Sequence, residues 1–204
     1  KSKEHILEKG EIEELKSKCL TDYEKLIIYG LLYTGMRNSE FLHTERTWVD
    51  FEKGLISVPS SIICKCNSCK KEIRKKKGKN AGKVTKPAGI WKPKTEDSIR
   101  RVRILSPLLP LLKQYFQNHN SIIEVYNNRI EIWRILKKVY KRTNIRKNVF
   151  PHSIRATYAT LVSEIIDNPM NLKDIMGWKN LSVAESYVKM SKERMIKITD
   201  NLDG

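Results

Sequence analysis

Long apolar runs are missing from this chain. Nothing in its 204 residues approaches the roughly twenty consecutive apolar positions that a membrane-spanning helix needs, and the reading that follows is a protein with no membrane partner. The opening stretch Lys1-Ser-Lys-Glu-His-Ile-Leu-Glu-Lys9 is charged throughout and lacks the apolar segment of a secretory signal, so the expected location is the cytoplasm. Cysteine is scarce as well, with four residues, too few for a disulfide-framed fold. Acidic residues are in deficit, 23 against 40 Lys and Arg, which leaves a formal net charge of +17. No segment repeats.

The positive excess is uneven. Between Lys65 and Arg103 stand 15 Lys and Arg against Glu72, Glu96 and Asp97, so this block alone holds +12 of the +17. A block of that density facing a polyanion steers association and releases condensed counterions, which makes nucleic acid the leading partner. A solvated lysine-rich loop and a membrane-surface patch are the alternatives. Against them, the block runs into the strand-like Arg100-Arg-Val-Arg-Ile104 and is not an isolated tail. Its candidate phosphate contacts are Lys70, Lys71, Arg74, Lys75, Lys76, Lys77, Lys79 and Lys83. Cys64, Cys66 and Cys69 crowd into the same block, a spacing that suits a metal such as zinc better than a disulfide, with Cys19, His43 or His119 as a fourth ligand if the fold brings one near. Free thiols are the other reading.

Helical patterns dominate the rest. A short helix is expected over 10–19. Thr21-Asp-Tyr-Glu24 has the form of a capping box, and a core helix should follow it through Leu26, Ile27, Leu31 and Leu32, with Gly30 tolerated if another helix packs close. Gly35 permits a tight turn that leaves Arg37 at the start of a new helix, either cradling an anion or pairing with Glu40 on the surface. Residues 54–59 and 98–105 read as strands, the second alternating Val102 and Ile104 with Arg101 and Arg103. The stretch between them has no periodicity and is expected to be a loop or small inserted module, mobile unless DNA or metal orders it. Apolar faces recur at Leu108, Leu109, Leu111, Leu112, Tyr115 and Phe116, and at Ile130, Ile132, Trp133, Leu136, Val139 and Tyr140.

The last quarter carries the chemistry. A helix opening at Pro151 should bury Ile154, Ala159, Leu161, Val162 and Ile165, with His152 and Arg155 at i and i+3 on one face. A short helix ends at Gly177, and Ser182-Val-Ala-Glu is expected to cap the segment bearing Tyr187, followed by a basic tail with one more helical stretch. A His and an Arg pointing one way, an indole at Trp178 and a lone Tyr hydroxyl read as a phosphoryl-transfer site with a protein nucleophile.

These residues, in this order, resemble a known family. Thr34-Gly-Met-Arg37-Asn-Ser-Glu40, Lys94-Thr-Glu-Asp-Ser-Ile-Arg-Arg-Val-Arg-Ile, His152-Ser-Ile-Arg155 and Gly177-Trp178 followed by Tyr187 look like the catalytic domain of tyrosine recombinases, the phage integrase family. The resemblance covers nearly the whole chain. It implies an α+β fold, mostly helical, with a small antiparallel sheet beside the active site. It also implies site-specific cleavage and rejoining of double-stranded DNA by a homo-tetramer, in the service of a virus or mobile element. In that scheme Tyr187 attacks the phosphodiester and holds a 3′-phosphotyrosyl link, Arg37 and Arg155 bind the non-bridging oxygens, Lys94 protonates the leaving 5′-oxygen, and His152 assists. Lys92 and Lys86 compete with Lys94 for its role. Glu40 supports Arg37 or the imidazole. Trp178 stands where many members carry His, and its indole N–H donates but cannot accept a proton. No cofactor is required, because fixed Arg donors neutralise the phosphate and the covalent link conserves its bond energy.

Two departures stand out. Residues 64–90 are inserted where relatives have a short hairpin. Residues 1–204 are expected to be one catalytic domain, with the N-terminal DNA clamp of most relatives outside it or replaced by a partner. A type IB topoisomerase-like relaxing enzyme and a non-catalytic DNA-binding accessory protein are the competing functional readings.

Overall fold

The computed structural model describes residues 5–74, 76, 81–126 and 128–200. A central helix, α2 (Asp22–Thr34), sits among most of the others, because its apolar residues do not keep to one stripe. Leu26, Ile27, Ile28, Leu31 and Leu32 are all buried. Removing five such side chains from water contributes on the order of 10 kcal/mol before the entropy of ordering them is counted. Around it pack α1 (Lys9–Ser17), α3 (Asn38–Leu42), α4 (Leu109–Tyr115), α6 (Arg129–Tyr140) and α7 (Pro151–Ser163), with the short α5 (Ile123–Tyr126) against α6. Gly30 of α2 exists for α3: a Cβ there would lie 1.9 Å from Cζ of Phe41.

Thr21 caps α2 as its pattern predicts, its Oγ1 accepting from the Glu24 N–H at 3.1 Å. Glu24 itself departs from a simple capping box. It reaches the N–H of Leu20 at 2.8 Å and is buried against Arg142, whose two terminal nitrogens meet the carboxylate at 2.7 and 3.1 Å. This fork ties the start of α2 to Arg142, just past α6. The hydrogen bonds from Arg142 hold the Glu24 carboxyl down at about 2, against its ordinary 4.5.

A three-stranded antiparallel sheet, β1 (Val49–Asp50), β2 (Leu55–Ser57) and β7 (Arg101–Arg103), has β2 in the middle. Ile56 pairs with Val102 on the buried side, while Arg101 and Arg103 face solvent, which is the alternation read from the sequence. The insertion between β2 and β7 is more ordered than its lack of periodicity suggests. β3 (Ile62–Ile63) pairs with β6 (Ile90–Trp91), and β4 (Ile73–Arg74) pairs with β5 (Val84–Lys86), giving one hairpin nested beyond another. These two- and three-residue ladders are too short to leave a period-two signature.

The C-terminal part forms a second apolar cluster. α7, α8 (Pro169–Met176) and α9 (Leu181–Asp200) enclose Ala156, Tyr158, Ala159, Leu172, Met176, Ala184, Tyr187 and Val188, with Ile6 from the amino end. Pro151 and Pro169 occupy first helical positions, where a missing N–H costs nothing. The expected break after Tyr187 is absent: α9 runs unbroken from Leu181 to Asp200, so Ser182 lies inside the helix and does not cap it. Three expected core residues instead face solvent, Ile130 at 49%, Trp133 at 43% and Ile165 at 85% exposure. Ile165 lies past the end of α7, where the helical period no longer applies, and Trp133 shelters under the ammonium of Lys137, 4.7 Å from the ring centroid. No helix among the described residues is long and apolar enough to cross a membrane.

Candidate active site

The site begins at the end of α2. Gly35 adopts φ 57°, and a Cβ there would lie 2.1 Å from Cδ1 of Tyr158. The turn is braced by Thr34, whose Oγ1 donates to the Gly30 carbonyl at 2.5 Å and accepts from the Met36 N–H at 3.1 Å. The chain therefore enters α3 with Arg37 at the cap position. Its Nη1 donates to Glu40 at 2.7 Å and to Ser98 Oγ at 2.8 Å, and its Nη2 donates to the Gly177 carbonyl at 2.8 Å. Arg37 does pair with Glu40, but not on the surface: the Glu40 side chain is 1% exposed and that of Arg37 18%.

Glu40 serves three cations. Besides Arg37, it accepts from Arg100 Nη1 at 3.2 Å. Burial alone would raise its pKa, yet Arg100, Arg37 and Arg155 outweigh that cost and hold the carboxyl below its usual range. Arg100 is the residue that the sequence reading passed over. Its Nε donates to the Ile175 carbonyl at 2.9 Å and its Nη1 to the Ser98 carbonyl at 3.0 Å, while Nη2 is buried without a hydrogen-bond partner. The signal was available, because the alternation that turns Arg101 and Arg103 outward turns Arg100 inward, and a buried Arg demands a carboxylate.

α7 supplies Arg155, 6% exposed, whose two terminal nitrogens donate to the carbonyls of Gly35 and Met176. It thereby joins the α2 turn to the end of α8. Burial, reinforced by the Arg37 cation, lowers its pKa, but a guanidinium stays protonated at neutral pH. One turn earlier, His152 is exposed as a residue, although its ring is partly desolvated. That desolvation, followed by the cations Arg155, Lys94 and Arg37, lowers its pKa and leaves the imidazole neutral near pH 7. Lys94 is thus one of the cations whose charge disfavours protonation of His152. Lys86 is elsewhere, its Nζ 3.2 Å from the Ser68 carbonyl.

Gly177 closes the ring of contacts. It ends α8 in a left-handed cap at φ 60°, and a Cβ would meet the Asp97 carbonyl at 2.8 Å, so only glycine lets this turn dock on the segment carrying Ser98. Trp178 follows, with the Arg155 guanidinium 6.0 Å from its ring centroid. The indole stacks on Tyr187, which is 5% exposed. Burial raises the pKa of the Tyr187 phenol, and the Arg155 cation opposes that rise. Arg37, Glu40, Arg155, Trp178 and Tyr187 thus come together from four separate stretches, with His152 one turn before Arg155 on α7. The arrangement presents cationic donors around a phenol, which is what attack on a phosphodiester requires.

The other candidates lie apart. Lys70, Lys71, Arg74, Lys76 and Lys83 are exposed along the insertion, Arg74 pairing with Glu72 at 2.6 Å, while Lys75, Lys77 and Lys79 lie outside the described residues. Cys64, Cys66 and Cys69 gather with His43; Cys19, bonded to the Leu15 carbonyl, and His119, stacked on Tyr115, do not join them.

Residues 5–194 match the phage integrase family. A tyrosine recombinase of Thermosipho africanus is 32% identical over 103 residues, covering 46% of this chain and 35% of the relative. A XerC-like tyrosine recombinase of Caldanaerobacter subterraneus is 27% identical over 215 residues, covering 95% of this chain and 52% of the relative. The chain thus spans about half the length, or less, of these relatives. The crystal structure of XerA recombinase superimposes with a TM-score of 0.67 at 18% identity, over 95% of this chain and 62% of that one. The Tn1549 transposon integrase, solved in complex with a circular intermediate DNA, gives 0.65 at 20% identity, over 95% of this chain and 65% of that one. Both have the same fold as this chain.

Proposed function

Because the chain belongs to the phage integrase family, we propose that residues 1–204 act as the catalytic domain of a tyrosine-type site-specific DNA recombinase. The observation that carries this reading is the joining of Arg37 to the Gly177 carbonyl and Arg155 to the Met176 carbonyl, which sets both guanidinium groups beside the Trp178–Tyr187 stack. In the forward step the Tyr187 oxygen bonds to phosphorus and the bond from phosphorus to the 5′-oxygen breaks. Lys94 supplies the proton that the leaving oxygen takes up, and neutral His152 receives the phenolic proton. Arg37 and Arg155 hold the non-bridging oxygens as charge builds on them. The step conserves one phosphoester bond, so it reverses when another 5′-hydroxyl attacks the phosphotyrosine, and no cofactor enters it.

The substrate is double-stranded DNA, held along the exposed lysines of the insertion, and strand exchange takes place in a tetramer. The setting is movement of a viral or mobile genome; the fold shared with a transposon integrase supports this. A duplex carrying a nick beside the cleavage site tests the chemistry, since the short 5′-hydroxyl fragment diffuses away and traps the covalent link. Wild-type protein should accumulate on such DNA and Tyr187→Phe should not. An undiminished adduct with that variant would refute the assignment.

A further inference from the structure

We propose that His43, Cys64, Cys66 and Cys69 bind one zinc ion, in a closed structural site that pins the insertion to α3. The four candidate ligand atoms, one imidazole nitrogen and three sulfurs, all lie within 4.8 Å of one another, and all four residues are buried. A tetrahedral zinc with ordinary Zn–N and Zn–S lengths separates its nitrogen from each sulfur by about 3.6 Å. Here Nε2 of His43 stands 3.5 Å from Sγ of both Cys66 and Cys69. Three thiols with one imidazole select a soft or borderline ion over magnesium or calcium, and four protein ligands leave no open position for catalysis.

The surroundings are built for a ligand set. His43 Nδ1 lies 2.6 Å from the Ser39 carbonyl, a bond only a protonated Nδ1 can donate, so the lone pair of Nε2 faces the sulfurs. Trp91 of β6 stacks on the imidazole at 5.1 Å and donates its indole N–H to Ser39 Oγ at 2.9 Å, fixing the ring plane. Backbone bonds from Cys69 and Lys70 to the Cys66 carbonyl fold the Cys66–Cys69 turn, and bonds between Gly89 and the backbones of Cys64 and Cys69 hold it beneath the first hairpin.

Lys86 supplies a second, independent observation. It is buried, at 9% exposure, and its ammonium donates only to the Ser68 carbonyl, with no carboxylate among the described residues in ion-pair reach. A buried ammonium without a counter-charge is costly. Zinc with three thiolates and a neutral imidazole carries one net negative charge, which Lys86 balances. The site also has a mechanical consequence, because His43 caps the helix whose other end is Arg37, and Trp91 lies three residues before Lys94.

The test needs no DNA. The whole chain, purified without added metal, is analysed by native mass spectrometry and by elemental analysis, and then exchanged into cobalt(II). One zinc per chain is expected, and the cobalt form should show visible bands of tetrahedral geometry with thiolate-to-cobalt charge transfer. Cys66→Ser with Cys69→Ser should lose the metal, and Lys86→Met should keep the stoichiometry while weakening affinity about ten-fold. Should the double variant fail to fold, the cobalt spectrum of the wild-type chain decides alone. Zinc near zero, a Cys–Cys disulfide in its place, an octahedral cobalt spectrum, or zinc fully retained by the double variant would overturn the proposal.

Discussion

The indole of Trp178 lies against the ring of Tyr187, with centroids 5.2 Å apart and planes inclined by 19°. Tyr187 lies nine positions after Trp178, and the left-handed turn at Gly177 with the start of α9 brings them together. Trp178 therefore acts as a platform that sets the plane of the phenol, and it touches Arg155 on its way.

Trp178→Ala should slow formation of the covalent DNA adduct in single-turnover measurements by about three- to ten-fold, the equivalent of the ~0.5–1.5 kcal/mol that an aromatic pair contributes. Trp178→Phe, which retains a ring, should recover most of the rate. Equal defects in both variants would mean that the indole N–H matters and the stack does not.

Arg155→Lys exchanges a planar fork for a single ammonium that cannot reach the carbonyls of Gly35 and Met176 together. Leaving one buried carbonyl unpaired costs about 2 kcal/mol, so urea unfolding should report that loss along with the loss of adduct formation. A variant of unchanged stability would show that the two carbonyls find other donors.

Glu24 makes the fold acid-sensitive. Its carboxyl sits at about 2 in the folded chain against an ordinary 4.5, so the unfolded state binds the proton more readily. The stabilisation is full above about pH 5 and is lost as pH falls through 4.5 toward 2. The urea midpoint of the wild-type chain should drop across that window, and Glu24→Gln should be weaker at pH 7 and flatter below pH 5. Parallel pH profiles for the two proteins would place the acid sensitivity elsewhere, with Glu40 the next candidate.

Gly30→Ala should destabilise by about 1–3 kcal/mol, because its Cβ cannot share space with Phe41. The damage should extend to chemistry, since displacing Phe41 moves the helix that Arg37 caps. A stable and active variant would show that α3 can shift without disturbing the site.

Much of this was legible in the chain. Thr21, Gly35, Pro151 and Gly177 are local signals, Thr21 through its side-chain oxygen and the others through their backbone, and the elements they bound lie where the sequence puts them. The choice of Arg37, Arg155 and Tyr187 as candidates rests on an ordered series of residue types, and the fold brings the elements that carry them together. What stayed hidden depended on tertiary partners. The burial of Arg100 needs Glu40, and the selection of His43 over Cys19 and His119 needs the nested hairpins. Ile130 and Trp133 belong to an apolar pattern whose outer members face solvent, because a period gives a face but not its width, whereas Ile165 lies past the end of its helix. Ser182 mimics a cap although the helix has already begun at Leu181, and the continuity of α9 past Tyr187 is masked by the basic, polar composition from Lys189 onward.

That continuity makes Tyr187 part of a rod. From the ring to Asp200, α9 extends about 20 Å at 1.5 Å per residue. Among the described residues, its distal half is moored by Arg194, which meets Glu8 and, at 3.5 Å, Glu164. Both ties are partly solvated and therefore weak, and salt loosens them further. Added salt should therefore loosen the Arg194 mooring of the helix that carries the hydroxyl, as well as screen the basic surface.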